Sequence, residues 1–159
     1  VLANWEKIKE AEKKERGEEE GARSAGFFDG IPKYMPALMR AQMMQERAAR
    51  IGFDWPSSQG PIGKIREEAS ELEEHIISKG DKVGLEHELG DLLFSVVNLA
   101  RHINIRAADA LGRANKKFQR RFEGVRRLVK ERNLDLAKLG IEELDKLWDE
   151  VKAGEKGKP

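Results

Sequence analysis

The sequence predicts an all-α protein, an antiparallel helical bundle, and three observations carry that expectation. Helix formers such as Ala, Leu, Glu, Lys and Arg dominate, with only 5 prolines in 159 residues. Apolar residues recur at three- and four-residue spacing through several long stretches, the period of a helix with one covered face. No stretch alternates apolar and polar residues as a half-buried strand does. With 39% apolar and 37% charged residues and no interior shift of composition, one core is expected. The domain is placed at residues 31–153, after a charged linker or N-terminal arm over 1–30 and before a short tail over 154–159.

Taken in order, Leu2 to Arg16 is compatible with a short charged helix that runs into the polar, glycine-broken stretch from Gly17 to Gly26. Val rather than Met at position 1 suggests a fragment or a processed product with upstream sequence missing. Pro36 suits the first turn of a helix that carries Leu38, Met39, Met43 and Met44 and ends near Gly52. These methionines are expected mainly as core filling, with a subunit contact as the alternative. Trp55, Pro56 and Gly60 mark a loop, and Pro61 starts the next helix. Ser78, Lys79, Gly80 and Asp81 form a tight junction, with Gly80 expected in the left-handed conformation and Asp81 capping the helix that follows. The two helices should therefore fold back as a hairpin. A third long helix is expected from about Ala107 to Arg132, and a last one, after Gly140, from about Ile141 to Lys152.

Bulk properties exclude several function classes. The net charge is +1, from 30 basic and 29 acidic residues, so nucleic acid is not an expected partner and any charge-based function is local. Zero cysteines exclude disulfides and thiolate metal sites, leaving oxygen ligands as the available metal chemistry. No apolar run approaches the roughly 20 residues of a membrane span, and no signal-peptide layout is present. A cytoplasmic protein without a membrane partner is expected.

Chemistry is concentrated in the hairpin. Ile62, Ile65, Ala69, Leu72 and Ile76 fall within about 80° of one another on a helix, and Glu68 and Glu71 flank that stripe. On the next helix Leu85, Leu89, Leu92, Val96, Leu99 and Ile103 form the same stripe, flanked by Glu88 and Asp91. Folding back about Gly80 sets Glu68 level with Asp91 and Glu71 level with Glu88. Residues three apart are separated by roughly 4.5 Å along the axis, so four carboxylates converge on a small volume. The second helix has almost no polar face and is expected to be buried all round, where acids need a partner charge. A hard divalent cation meets that need, and Mg²⁺ in particular bridges to substrate phosphates. The alternative is that these are ordinary acids on amphipathic helices. His75 and His102 lie near the acidic stripes without the Glu-x-x-His spacing of di-iron bundles and are expected to be polar packing residues.

A second element suits phosphate. On the helix whose inward stripe is Leu111, Ala114, Phe118, Phe122 and Val125, Lys117 and Arg121 are neighbours one turn apart flanking that stripe. Arg makes forked contacts with phosphate and Lys supplies a point charge. The alternative is a solvated basic face together with Arg113, Lys116, Arg120, Arg126 and Arg127. Two rival functions stay open on these residues: a nucleic-acid-binding helical module, and a non-catalytic nucleotide-sensing module.

The segments Gly52-Phe-Asp-Trp55, Glu67-Glu-Ala-Ser-Glu71, Glu88-Leu-Gly-Asp-Leu-Leu-Phe94, Val97-Asn-Leu-Ala-Arg101 and Ala114-Asn-Lys-Lys-Phe-Gln-Arg-Arg-Phe122 together resemble the MazG family. The likeness is to the C-terminal catalytic module of these nucleoside triphosphate pyrophosphohydrolases and runs from about Trp5 to Lys152. It implies an all-α, homodimeric enzyme that cleaves nucleoside triphosphates to the monophosphate and pyrophosphate, with Mg²⁺ as cofactor and Mn²⁺ able to stand in. By that resemblance Glu68, Glu71, Glu88 and Asp91 are metal ligands, while Lys64, Lys117, Arg121, Trp148 and Lys152 surround the nucleotide. Glu67 is a candidate for orienting or deprotonating the attacking water, with a solvent-facing acid as the alternative. His87 stands where relatives often carry a further acid.

Overall fold

The computed structural model describes residues 26–156, so the expected arm lies outside it except for its last five residues. These form a turn on the first helix. Arg47 donates from Nη1 to the carbonyls of Phe27 and Asp29 at 2.9 and 2.7 Å, and Ile31 is buried.

Five α-helices follow, and no strand occurs among the described residues. They are α1 (Ala37–Arg50), α2 (Gln59–Ile77), α3 (Lys82–His102), α4 (Ala107–Glu131) and α5 (Ile141–Lys156), with a short 3₁₀ turn at Leu136–Lys138. The all-α expectation holds. Helix α2 folds back on α3, α1 lies against α3 and α4, and α5 packs along the C-terminal half of α4. Two boundaries differ from expectation: α2 begins two residues before Pro61, and α5 continues four residues past Lys152. No described helix is long and apolar enough to cross a membrane.

Four helices end in the same way. The chain leaves α1, α2, α3 and α4 through a left-handed residue at Gly52, Lys79, Asn104 and Asn133, with φ of 88°, 53°, 57° and 53°. At each end the N–H of the following residue reaches back five positions to a helix carbonyl: Phe53 to Ala48, Gly80 to His75, Ile105 to Ala100 and Leu134 to Val129. This is the Schellman arrangement, which satisfies carbonyls that the helix leaves without partners. The expectation at the hairpin is thereby corrected, because the left-handed residue is Lys79 and not Gly80. Gly80 is required for a different reason. A Cβ there would stand 2.6 Å from His75 Cδ2 and 3.1 Å from the His75 carbonyl oxygen. Asp81 caps α3 as expected, its carboxylate accepting from Gly84 N at 2.7 Å.

Burial is uneven. Val125, Val129 and Leu147 form a core between α4 and α5, enclosed by Leu128, Leu136, Leu139, Leu144, Trp148 and Val151. Gly124 permits the close approach, since a Cβ there would lie 2.8 Å from Val151 Cγ1. Val97 and Pro61 are fully enclosed elsewhere. By contrast α3 is not buried all round: Leu89, Leu93, Phe94 and Val96 are 44–49% exposed. The inward stripe of α4 is likewise open at Leu111, Phe118 and Phe122, leaving Val125 as its one fully buried member. Ile76 on α2 is exposed, and Met39 and Met43 are surface residues rather than core filling, while Met44 is half-buried. Helical periodicity specifies which side chains belong together, and here one chain provides cover on only one side.

The helix ends generate a test. Replacing Lys79→Gly removes the left-handed cost of a residue with a Cβ and should stabilise the fold by about 0.5–1 kcal/mol. Gly80→Ala should destabilise it by about 1–3 kcal/mol, because the backbone carbonyl of His75 cannot yield as a side chain can. Urea titrations should show opposite movements of the two midpoints at unchanged slope.

Candidate metal centre

The hairpin register brings three of the four expected acids together. Carboxylate oxygens of Glu68 and Glu71 on α2 and of Glu88 on α3 all lie within 4.8 Å of one another. Glu68 is 5% exposed, Glu88 half-buried and Glu71 exposed. Asp91 is exposed on α3 and stands outside that group. The i,i+3 spacing placed Glu68 and Glu71 on one face, and the turn at Lys79–Asp81 set Glu88 opposite.

The charges in this cluster act on one another. The Glu71 carboxyl is pushed above its ordinary value, first by desolvation and then by the charges of Glu68, Glu88 and Glu67. Lys64, one turn before Glu68, supplies a counter-charge from within the helix. Its Nζ pairs with Glu68 and with Glu67, the latter at 2.9 Å. The hydrogen bond to Glu68, then that to Glu67, holds the ammonium above the usual lysine range. His75 Nδ1 approaches Glu88 at 3.8 Å. The donor set is therefore all-oxygen, and one cation balances three neighbouring acids, with Glu67 sharing that same lysine. Such a set suits a hard divalent cation, with Glu68, Glu71 and Glu88 as ligands.

The remaining expected residues occupy a separate part of the chain. Lys117 is exposed on α4. Arg121 is engaged by Glu155, donating from Nε and Nη2 to Oε2 at 2.9 and 2.8 Å, and Arg120 grips Glu155 Oε1. The guanidinium of Arg121 also lies over the Trp148 ring at 5.9 Å, and Phe118 meets that ring at 5.3 Å. Lys152 donates to Asp149 at 2.8 Å. No described hydrogen bond or ion pair joins Lys117, Arg121, Trp148 or Lys152 to the three clustered acids, and α2 packs principally on α3.

One polar network escaped sequence reasoning. Asp54 accepts a forked pair from Arg101, with Nη1 to Oδ2 at 2.8 Å, and a further contact from His102 Nε2 at 2.9 Å. Arg101 holds the Asp54 carboxyl well below the usual carboxylate range; burial opposes it, and His102 and the Trp55 amide assist it. The loop carrying Phe53 and Trp55 is thus clamped to α3. Only the recurrence of Gly52-Phe-Asp-Trp55 and Arg101 among the resembling segments pointed there, and spacing alone gave no reason to pair residues 47 positions apart.

Comparison with known proteins points to one family. Residues 58–125 match the family model described as the MazG nucleotide pyrophosphohydrolase domain. The chain is 42% identical over 156 residues to the nucleoside triphosphate pyrophosphohydrolase of Escherichia coli (strain K12), covering 98% of this chain and 57% of that protein. It is 40% identical over 151 residues to the nucleoside triphosphate pyrophosphohydrolase/pyrophosphatase MazG of Thermotoga maritima, covering 95% and 55%. A third relative, the uncharacterized protein YabN of Bacillus subtilis, is 38% identical over 156 residues, which are 98% of this chain and 30% of that protein. The chain therefore spans little more than half the length of the first two.

The role of Lys64 as an internal counter-charge can be checked directly. Lys64→Met leaves Glu68 buried beside two other acids and should cost about 1–2 kcal/mol in EDTA, less than a fully enclosed pair because the lysine is partly exposed. Millimolar Mg²⁺ should recover most of that loss. Thermal melts in which Mg²⁺ raises the midpoints of both proteins equally would place the ion away from Glu68.

Proposed function

We propose, from the match of residues 58–125 to the MazG nucleotide pyrophosphohydrolase model, that this chain is a MazG-type enzyme that hydrolyses nucleoside triphosphates to the monophosphate and pyrophosphate. The observation that carries the proposal is the convergence of Glu68, Glu71 and Glu88 to within 4.8 Å in a protein with no thiolate ligand. Relatives named for this activity support it, and the chain corresponds to about half of each. We place the catalytic unit at residues 31–153, with 1–30 and 154–159 outside it, and the working compartment in the cytoplasm.

In this reading Glu68, Glu71, Glu88 and, from the exposed side, Asp91 hold Mg²⁺. A divalent ion held there would supply charge to offset that of the phosphate chain and would make the attacking water easier to deprotonate. Water attacks the α-phosphorus and the bond to the bridging oxygen breaks, so pyrophosphate leaves and the water's proton passes to Glu67. Lys64 keeps Glu67 and Glu68 in register, which fixes the geometry of that transfer. Lys117 and Arg121 meet the phosphates, with Trp148 and Lys152 beside them; Arg121 must then exchange Glu155 for phosphate. That same ion pair, with Arg126 held by Glu123, leaves the basic face of α4 partly neutralised, which argues against nucleic acid.

A homodimer completes the proposal. The open apolar rows on α3 (Leu89, Leu93, Val96) and α4 (Leu111, Phe118) need cover that the described chain lacks. Among the described residues α4 has no substantial packing on α2, so a second copy laid across these rows offers the means of bringing basic residues to the carboxylates.

Incubation with each nucleoside triphosphate should release pyrophosphate in Mg²⁺ and none in EDTA. Glu71→Gln and Asp91→Ala should each lower turnover by about 100-fold or more, since charge stabilisation of several kcal/mol is removed. An Asp91→Ala enzyme with full Mg²⁺-dependent turnover would remove Asp91 from the site. Bound nucleotide without pyrophosphate release would make the chain a sensor, and metal-independent binding of polynucleotides would make it a nucleic-acid module.

Light scattering should give twice the 18.0 kDa of one chain. Leu93→Glu, which charges the open face of α3, should shift that mass to the monomer and reduce turnover with it. A monomeric wild type with full activity would refute the dimer.

A further inference from the structure

A cavity of about 470 Å³ lies between α1, the loop at Gly52–Trp55 and α3, within the size range of small-molecule sites. Phe53, Trp55, Phe94 and Met44 give it apolar and largely aromatic walls. One buried polar side chain stands among them. Gln45 is 7% exposed, and its Nε2 donates to the Phe94 carbonyl at 2.9 Å, which settles the orientation of the amide. The Oε1 at the other end is buried and accepts no hydrogen bond from any described residue. A buried amide oxygen without a donor is rare in a finished fold and needs an explanation.

The position of the cavity relative to the acids supplies one. Asp91, Phe94, Asn98 and Arg101 fall within about 80° of one another on α3, at helical spacings of three, four and three. Phe94, Asn98 and Arg101 line the cavity, so its wall continues the row on which Asp91 sits, beginning roughly 4.5 Å further along the axis. Arg101 and His102 clamp Asp54, holding the loop of Phe53 and Trp55 against that wall. The Trp148 ring, by comparison, is already packed on Phe118 and beneath Arg121.

We infer that this cavity takes the base of the nucleotide, the aromatic walls meeting its faces and Gln45 Oε1 accepting a hydrogen bond from an exocyclic amino group. Adenine, cytosine and guanine each carry such an amino group. Gln45 is then the residue that discriminates amino-bearing bases. The assignment rests on the nucleotide reading above.

The test compares substrate pairs that differ only in the amino group, namely ATP against purine riboside triphosphate, CTP against pyrimidin-2-one riboside triphosphate and GTP against inosine triphosphate, by pyrophosphate release in Mg²⁺. The wild type should favour the amino-bearing member of at least one pair by about tenfold or more in kcat/KM, as sites built around a substrate hydrogen bond do. Gln45→Met keeps the bulk without the acceptor and should bring that ratio close to one. A general loss of folding would lower both members together and leave the ratio standing. Ala48→Phe fills the cavity without replacing Gln45. It should raise KM for nucleotides about tenfold relative to the inhibition constant of inorganic triphosphate, which has no base. A wild type without discrimination, a Gln45→Met enzyme that retains it, or an Ala48→Phe enzyme with unmoved KM overturns the assignment. Should the wild type release no pyrophosphate from any nucleotide, the enzymatic reading fails, and calorimetry with adenosine, cytidine and guanosine then decides the cavity. Binding that Gln45→Met abolishes sustains it, and no binding by the wild type ends it.

Discussion

The register of α2 against α3 is the constraint on which the rest depends. It is set over four residues, where Lys79 turns the chain, Gly80 slips beneath the His75 carbonyl and Asp81 caps the helix that follows. Moving that turn by one residue would rotate every side chain on α3 by about 100° relative to α2. Glu88 would leave Glu68 and Glu71, and the three-carboxylate donor set would be lost. The cost of placing a lysine in the left-handed region is therefore borne at a point where the geometry of a charged cluster is at stake.

Charge and cover are linked problems here. Glu68 is buried on the hairpin and is tolerable only if something neutralises it, and within the chain that is Lys64. The apolar surface of the same hairpin is tolerable only if something covers it, and α1 covers one side. Both needs are half met by the described residues. In the proposed reading a divalent cation would meet the first need and a second copy of the chain the second.

The helical content, the hairpin and the cap at Asp81 were legible in the sequence because each has a local cause: periodicity, a turn residue, a side chain three positions from the amide it accepts. The grouping of Glu68, Glu71 and Glu88 was legible for the same reason, since two i,i+3 spacings and one turn determine it. What local reasoning mistook was cover. Leu89, Leu93 and Val96 repeat as core residues do, and nothing in the repeat says whether the partner face belongs to the same chain. Lys79 was misread because the glycine beside it looked the better candidate for a left-handed residue, whereas Gly80 answers to the approach of His75. The clamp of Asp54 by Arg101 and His102 was out of reach, since it joins a loop to a helix end nearly fifty residues away and depends on how α1 lies across α3.

That clamp connects the two halves of the site. Asp54 belongs to a loop that leaves α1 through Gly52, and Arg101 and His102 belong to the last turn of α3, which begins at the hairpin. The loop is anchored through a charged fork and by the Trp55 ring seated on Gly60, which leaves Phe53 and part of Trp55 exposed beside the cavity. Gln45 stands on the other wall, one end of its amide tied to the Phe94 carbonyl and the other buried without a described donor. Helix α3 thus carries acids at its N-terminal half and a polar-anchored, aromatic-lined wall at its C-terminal half. A ligand with an anionic end and a planar end is the kind of molecule that a single helix arranged in this way can hold along its length.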